Sequence, residues 1–160
     1  MSNWERTETW IAAGLELERR GHSAFFVVTR DEYRRKALAA GFPSARILWL
    51  TRRGAQGADI ESSLKELVRL EAAAEIRVSE IVLMDRFLRS ERQDWAMRYA
   101  AYVYEALAAF VDQNEIELVI GQPDNVPDLL AEALMKIRKG RYAAPFEFRM
   151  PTRRFMLWDS

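Results

Sequence analysis

The sequence predicts an α/β domain built on a mostly parallel sheet, and three observations carry that prediction. Apolar runs of strand length occur at 22–29, 45–51 and 116–120, separated by stretches of helical periodicity. The opening order, helix–strand–helix–strand, implies parallel pairing through right-handed crossovers. Residues 115–134 (EIELVIGQPDNVPDLLAEAL) then hold a whole strand–turn–helix unit.

In that stretch Ile116, Leu118, Val119 and Ile120 form an apolar run ending at Gly121, the pattern of a strand buried on both faces. Gln122, Pro123, Asp124 and Asn125 are turn formers and helix-capping types. Pro127 and Asp128 suit a first helical turn, where the missing N–H does no harm and a carboxylate favours the dipole. Leu130, Ala133, Leu134 and Ile137 recur at helical spacing, and Gly140 is the expected stop. Ligands of open α/β sheets bind at the carboxyl ends of such strands, so this turn is the first place to look for a site.

The other elements follow from the chain in order. Residues 4–20 read as an amphipathic helix with Trp10, Ile11, Gly14, Leu15 and Leu17 inward, Gly14 allowing close approach to the sheet. Gly21 ends it, and His22–Thr29 is a strand dense in aromatic and β-branched residues. Asp31–Ala40 returns to helix, stopped by Gly41 and Pro43, and Ala45–Thr51 is a second buried strand. Residues 52–60, with two Gly and no periodicity, read as a mobile loop. From Glu61 to Asp112 the pattern is helical. Leu64, Leu67, Val68 and 71–74 mark one helix, and Ile81–Leu88 is a helical turn or a short strand, with helix preferred. Trp95, Tyr99, Tyr102, Val103, Ala106, Leu107 and Phe110 mark a long helix whose aromatic stripe is read as core. Arg141–Met150 is a strand with Pro145 near its start, and Arg154–Trp158 is the return limb of a hairpin or a further short strand.

Composition bounds the function. The 160 residues suffice for one domain with a real core, and 49% hydrophobic with 30% charged residues is ordinary for a soluble globular protein. Lys plus Arg (24) equal Asp plus Glu (24), so no global charge argues for nucleic acid or a membrane surface. Without Cys, thiolate sites and disulfides are excluded, and a lone His22 excludes a multi-histidine metal site. No Gly-rich phosphate loop is present and no cofactor is expected. No apolar run approaches a membrane span and no signal peptide precedes Trp4, which reads as a cytoplasmic protein. The chain opens on a helix and ends just after a strand. That reads as a partial chain, a Rossmann-like three-layer domain lacking its first strand, or alternatively as a smaller sheet that begins with a helix.

A helix ending Arg19-Arg20-Gly21-His22, then FFVVT (25–29) and DEYRRKALAAGF (31–42), resembles the first crossover of GT-B-type glycosyltransferases. DRFL at 85–88 and LVIGQPDNVPDLLAEAL at 118–134 are similar to the N-terminal half of bacterial capsule and surface-polysaccharide synthesis proteins. RMPTRRFMLWDS at 149–160 is similar to an Arg-containing segment that follows the strand there. The resemblance implies a single α/β domain over 1–160, the acceptor-side half of a longer two-domain architecture. With the donor-binding domain absent, this half is not a competent transferase alone. Where that family often has Glu after the strand glycine, this chain has Gln122, so no catalytic residue is assigned.

The candidate substrate-binding residues each carry two readings. Gln122, Asp124 and Asn125 present amide and carboxylate groups suited to sugar hydroxyls, or Asp124 or Asn125 caps the helix, leaving backbone N–H groups for an anion. Thr29 and Arg30 end the first strand and line the same cleft edge, or form a solvated loop. Arg149, Arg153 and Arg154 suit a phosphate or sugar-phosphate clamp, or a solvated face near the chain end. Asp85 and Arg86 are a buried ion pair or a substrate contact. His22 enters its strand at the amino end and is read as structural. The competing function is a noncatalytic α/β module that works by association, as a homo-oligomer or with a partner domain, through exposed sheet edges and apolar faces.

Overall fold

The computed structural model describes residues 3–57, 60–148 and 154–159. The chain is a mixed α/β protein. Its elements are α1 (Asn3–Arg19), β1 (Phe26–Val28), α2 (Asp31–Ala39), β2 (Ile47–Trp49), α3 (Arg52–Gly57), α4 (Ile60–Ala74), α5 (Val78–Met84), α6 (Gln93–Gln113), β3 (Leu118–Ile120), α7 (Val126–Arg138), β4 (Arg141–Phe148) and β5 (Arg154–Asp159). Short 3-10 turns at Ser44–Arg46 and Leu88–Ser90 precede β2 and α6. These elements fall into two compact units, Met1–Thr51 and Arg52–Ser160.

In the first unit β1 and β2 pair in parallel, Phe26 opposite Ile47 and Val28 opposite Trp49. Both strands are shorter than their apolar runs, because a two-stranded ladder extends only where both partners are extended, and the 3-10 turn at 44–46 ends it early. Val28, Ala37, Phe42 and Ile47 form the core, with Ile11, Phe26 and Tyr33 packed against it. Gly14 makes the approach of α1 possible: a Cβ there would lie 2.8 Å from the Phe26 ring and 3.1 Å from Phe42. Trp10, Leu15 and Leu17 do not turn inward with it but remain exposed, since a two-stranded sheet offers α1 a footprint little wider than Ile11 and Gly14. Glu18 joins the end of α1 to both strands by accepting from the Ala24 N–H (2.7 Å) and the Arg46 guanidinium (2.6 Å).

The second unit is helical with a three-stranded edge. β3 and β4 are parallel, β4 and β5 antiparallel, and Pro145 sits opposite Leu157 in the hairpin. The described strands thus form two sheets where one was expected. β3 is not buried on both faces either: Leu118 is 43% exposed. Among the described strands it pairs with β4 alone, and the face that carries Leu118 has no element covering it fully.

Residues 52–57 are helical, not a loop, and Gly54 packs so closely on Tyr102 that a Cβ would meet the phenol ring. This contact between distant segments overrides the low helix propensity of two glycines. In α4 the buried stripe is Ser63, Leu67, Leu70 and Ala74, while Leu64 and Val68 face out. In α6 the expected stripe holds, with Tyr99, Val103, Leu107 and Phe110 buried and Trp95 stacked on Tyr99 at 5.4 Å. Among the described residues no helix is long and apolar enough to cross a membrane.

Candidate functional site

The turn between β3 and α7 is the best-built candidate. Asn125 is the N-cap, with extended backbone, and its side-chain oxygen accepts from the Asp128 N–H at 3.1 Å. Its amide nitrogen donates to Asp128 Oδ2 (2.6 Å) and Asp124 Oδ1 (3.0 Å). Asn125 thus caps the helix through its oxygen while its amide nitrogen holds the carboxylate three residues on, a pairing legible as Asn followed by Asp at that spacing. Lys139, in the left-handed region at φ 56°, closes α7 one residue before the expected stop. Gly140 follows because its space is filled by the Met135 side chain.

A second carboxylate reaches this helix end from far along the chain. Asp85, 3% exposed, accepts from the Val126 N–H through Oδ2 (2.9 Å). Its Oδ1 accepts from the N–H groups of Phe87 (2.8 Å) and Leu88 (3.0 Å). Asp85 and Arg86 are therefore not a buried ion pair. Arg86 is exposed, with its guanidinium over the Phe87 ring at 5.0 Å. The readings offered for Asp85 from sequence missed this capping role. The available signal was an Asp placed just before a short helical turn, the position where side-chain oxygens take up main-chain donors.

These bonds settle what α7 can offer a ligand. The Val126 donor goes to Asp85, Pro127 has none, and the Asp128 donor goes to Asn125. No main-chain N–H in these first three helical positions is left for an anion, and the expectation that the cap leaves such donors is corrected.

Gly121 forms the floor. A Cβ at that position would clash with Asp128 Oδ1 and lie 2.8 Å from the Tyr142 hydroxyl, so both groups occupy the space a side chain would take. Burial pushes the Asp128 carboxyl up to about 7, against the Asn125 hydrogen bond that lowers it, and nearby Asp124 adds to the rise. Burial, with Asp128 and Glu132 nearby, raises the Tyr142 hydroxyl as well. A carboxyl titrating near neutrality can donate as well as accept a hydrogen bond. Sequence spacing does not single out Gly121, Asp128 or Tyr142 as site residues, although a carboxylate in the first helical turn suits the dipole.

Of the residues nominated from sequence, the fold brings together Gln122, Asp124 and Asn125. Gln122 and Asn125 are half-buried and Asp124 exposed. Thr29 and Arg30 lie at the carboxyl end of β1 in the other unit, both exposed, with Arg30 over the Tyr33 ring at 5.9 Å. Arg149 and Arg153 lie outside the described residues, while Arg154 opens β5 opposite Phe148. His22 is exposed and precedes β1. Among the described residues no three His, Asp or Glu side chains are grouped closely enough to hold a metal ion. No protein-family model matches the chain, and neither a curated protein nor a solved structure does so.

Proposed function

We propose that this chain is the acceptor-side domain of a glycosyltransferase-like protein of bacterial surface-polysaccharide biosynthesis, acting in the cytoplasm. In this reading the β3–α7 turn holds a hydroxyl-rich ligand, and transfer requires a donor-binding domain supplied from elsewhere. The two parallel strand–helix–strand units belong, on this proposal, to a Rossmann-like three-layer arrangement. The observation that carries the reading is the gathering of Gln122, Asp124, Asn125 and the Asp128 carboxyl at the carboxyl end of a parallel strand, above a glycine floor. Spent helix donors and two acidic side chains favour a neutral saccharide over a sugar phosphate at this place.

Amide NMR titration of the purified chain tests it. Capsule-type oligosaccharides should move the resonances of Gly121, Gln122 and Asn125, and nucleotide sugars should not. Gln122→Ala and Asp124→Ala should weaken the oligosaccharide without lowering the melting temperature. Oligosaccharide binding that leaves these amides unmoved, or no binding, overturns the reading.

The second reading, a noncatalytic association module, is favoured by a different observation. Leu83, Met84 and Phe87 are 66%, 62% and 61% exposed within five residues, a concentration of apolar surface typical of contact sites.

A further inference from the structure

The exposed apolar residues lie beside a cleft. Between α5 and the start of α6, Val82, Leu88, Ala96 and Met97 line a hollow of about 300 Å³, with Leu83 on its wall. Val82, Leu88 and Ala96 are buried, so the floor is fixed, whereas the Leu83 side chain stands in solvent. The hollow is at the bottom of the roughly 300–1,000 Å³ range of small-molecule pockets, a size for one or two large apolar side chains. Methionine at such a surface adapts to anchors of different shape.

Charge gives the occupant its second property. Arg52, Arg69, Arg77 and Arg92 of the same unit each meet a carboxylate. Arg86 and Arg89 flank Phe87, are exposed, and have no carboxylate partner among the described residues. Glu91, which also lines the cleft, is engaged by Arg52, so it does not offset them. The Arg86 guanidinium over the Phe87 ring presents cation and apolar face together.

We infer that this cleft docks an acidic segment of a partner protein that inserts one large apolar anchor and sets its carboxylates against Arg86 and Arg89. The inference deepens the association reading and holds whether or not the β3–α7 turn binds a saccharide. A bilayer surface would use the same residues but has no need of a hollow with a fixed floor. Anchors seated in such pockets and ringed by complementary charge are the usual form of a compact recognition site.

Fluorescence anisotropy on the full chain tests this, with short labelled peptides carrying one central Phe flanked by Asp and Glu, and matched peptides flanked by Lys. The acidic peptide should bind saturably and the basic one should not. Arg86→Glu with Arg89→Glu should weaken binding at least about tenfold and remove most of its salt dependence. Leu83→Ser and, separately, Phe87→Ser should weaken binding with an unchanged circular dichroism spectrum, since both side chains are exposed. Equal binding of both peptides, binding insensitive to the arginine variant, or no peptide binding overturns the inference. Uptake by anionic vesicles without peptide binding would reassign the face to lipid. A Leu83-dependent homodimer that ignores the peptides would overturn the inference while keeping the association reading.

Discussion

The chain contains the same strand–helix–strand plan twice, and the two copies are built differently. β1–α2–β2 and β3–α7–β4 each join parallel strands through one helix, with three paired positions in each ladder. At the start of α2, Arg30 makes no side-chain cap, and Asp31 pairs with Arg34 and Arg35 in solvent. At the start of α7, Asn125 and the distant Asp85 take up the free donors, and six residues of the helix are buried against one in α2. A helix beginning at the carboxyl end of a strand is therefore not by itself a binding device. What it offers depends on whether its first-turn donors are already spent, and in α7 they are.

The comparison can be broken most strongly at Asp85. Asp85→Ala removes the acceptor for three N–H groups, two of them buried, and should cost about 3 kcal/mol in urea unfolding. Glu18→Ala, the analogous link in the first unit, should cost about 1 kcal/mol because its partners are only partly buried. An Asp85→Ala protein as stable as the parent would show that α7 does not depend on its remote cap.

Next in size is Gly121→Ala. The new methyl group must displace Asp128 and Tyr142, and Asp128 is tethered by Asn125, so about 2 kcal/mol should be lost. Unchanged thermal stability would mean that the floor of the turn is looser than its contacts indicate. Asn125→Ala should then cost about 1 kcal/mol as a lost N-cap, whereas Arg30→Ala at the matching position of α2 should stay within roughly 0.5 kcal/mol. Equal effects on the melting temperature would erase the distinction between the two helix starts.

A further effect depends on pH. The Asp128 carboxyl is raised in the folded chain, so the folded state holds its proton more tightly than the unfolded state does. Its favourable contribution is full below about pH 4 and is lost as pH rises towards 7. Asp128→Asn should therefore stabilise the protein at pH 8, by up to about 4 kcal/mol, and by almost nothing at pH 4. A pH-independent difference in melting temperature would remove Asp128 as a titrating group.

The elements of the fold were largely legible in the residues. Asn125, Pro127 and Asp128 announce where α7 starts, and Tyr99, Val103, Leu107 and Phe110 announce which face of α6 is buried. The helix at 52–57 was not legible, because Gly54 gains its place from Tyr102 rather than from local propensity. Nor was the exposure of Leu118, Leu64 and Val68, since apolar periodicity says which residues share a face and not whether another element covers it. Within the candidate site, residue type narrowed the cap to Asp124 or Asn125, and the structure chose Asn125. Asp85 could not be read in this way, because its acceptors serve Val126, 41 residues away in the chain.

Sequence by itself determined most of the helices and strands in order, the parallel pairing expected of the opening helix–strand–helix–strand run, and a cap for α7 at Asp124 or Asn125, while leaving the last strand open between a hairpin limb and a separate strand. The identity of each element rests on residues a few positions apart, where chain connectivity already fixes the geometry. Only the tertiary structure decided that the described strands form two sheets, that α7 leaves no donor of its first three residues for an anion, and that Asp128 titrates near neutrality. Those outcomes depend on which distant groups meet and how much water they exclude, quantities that no local pattern of residues contains.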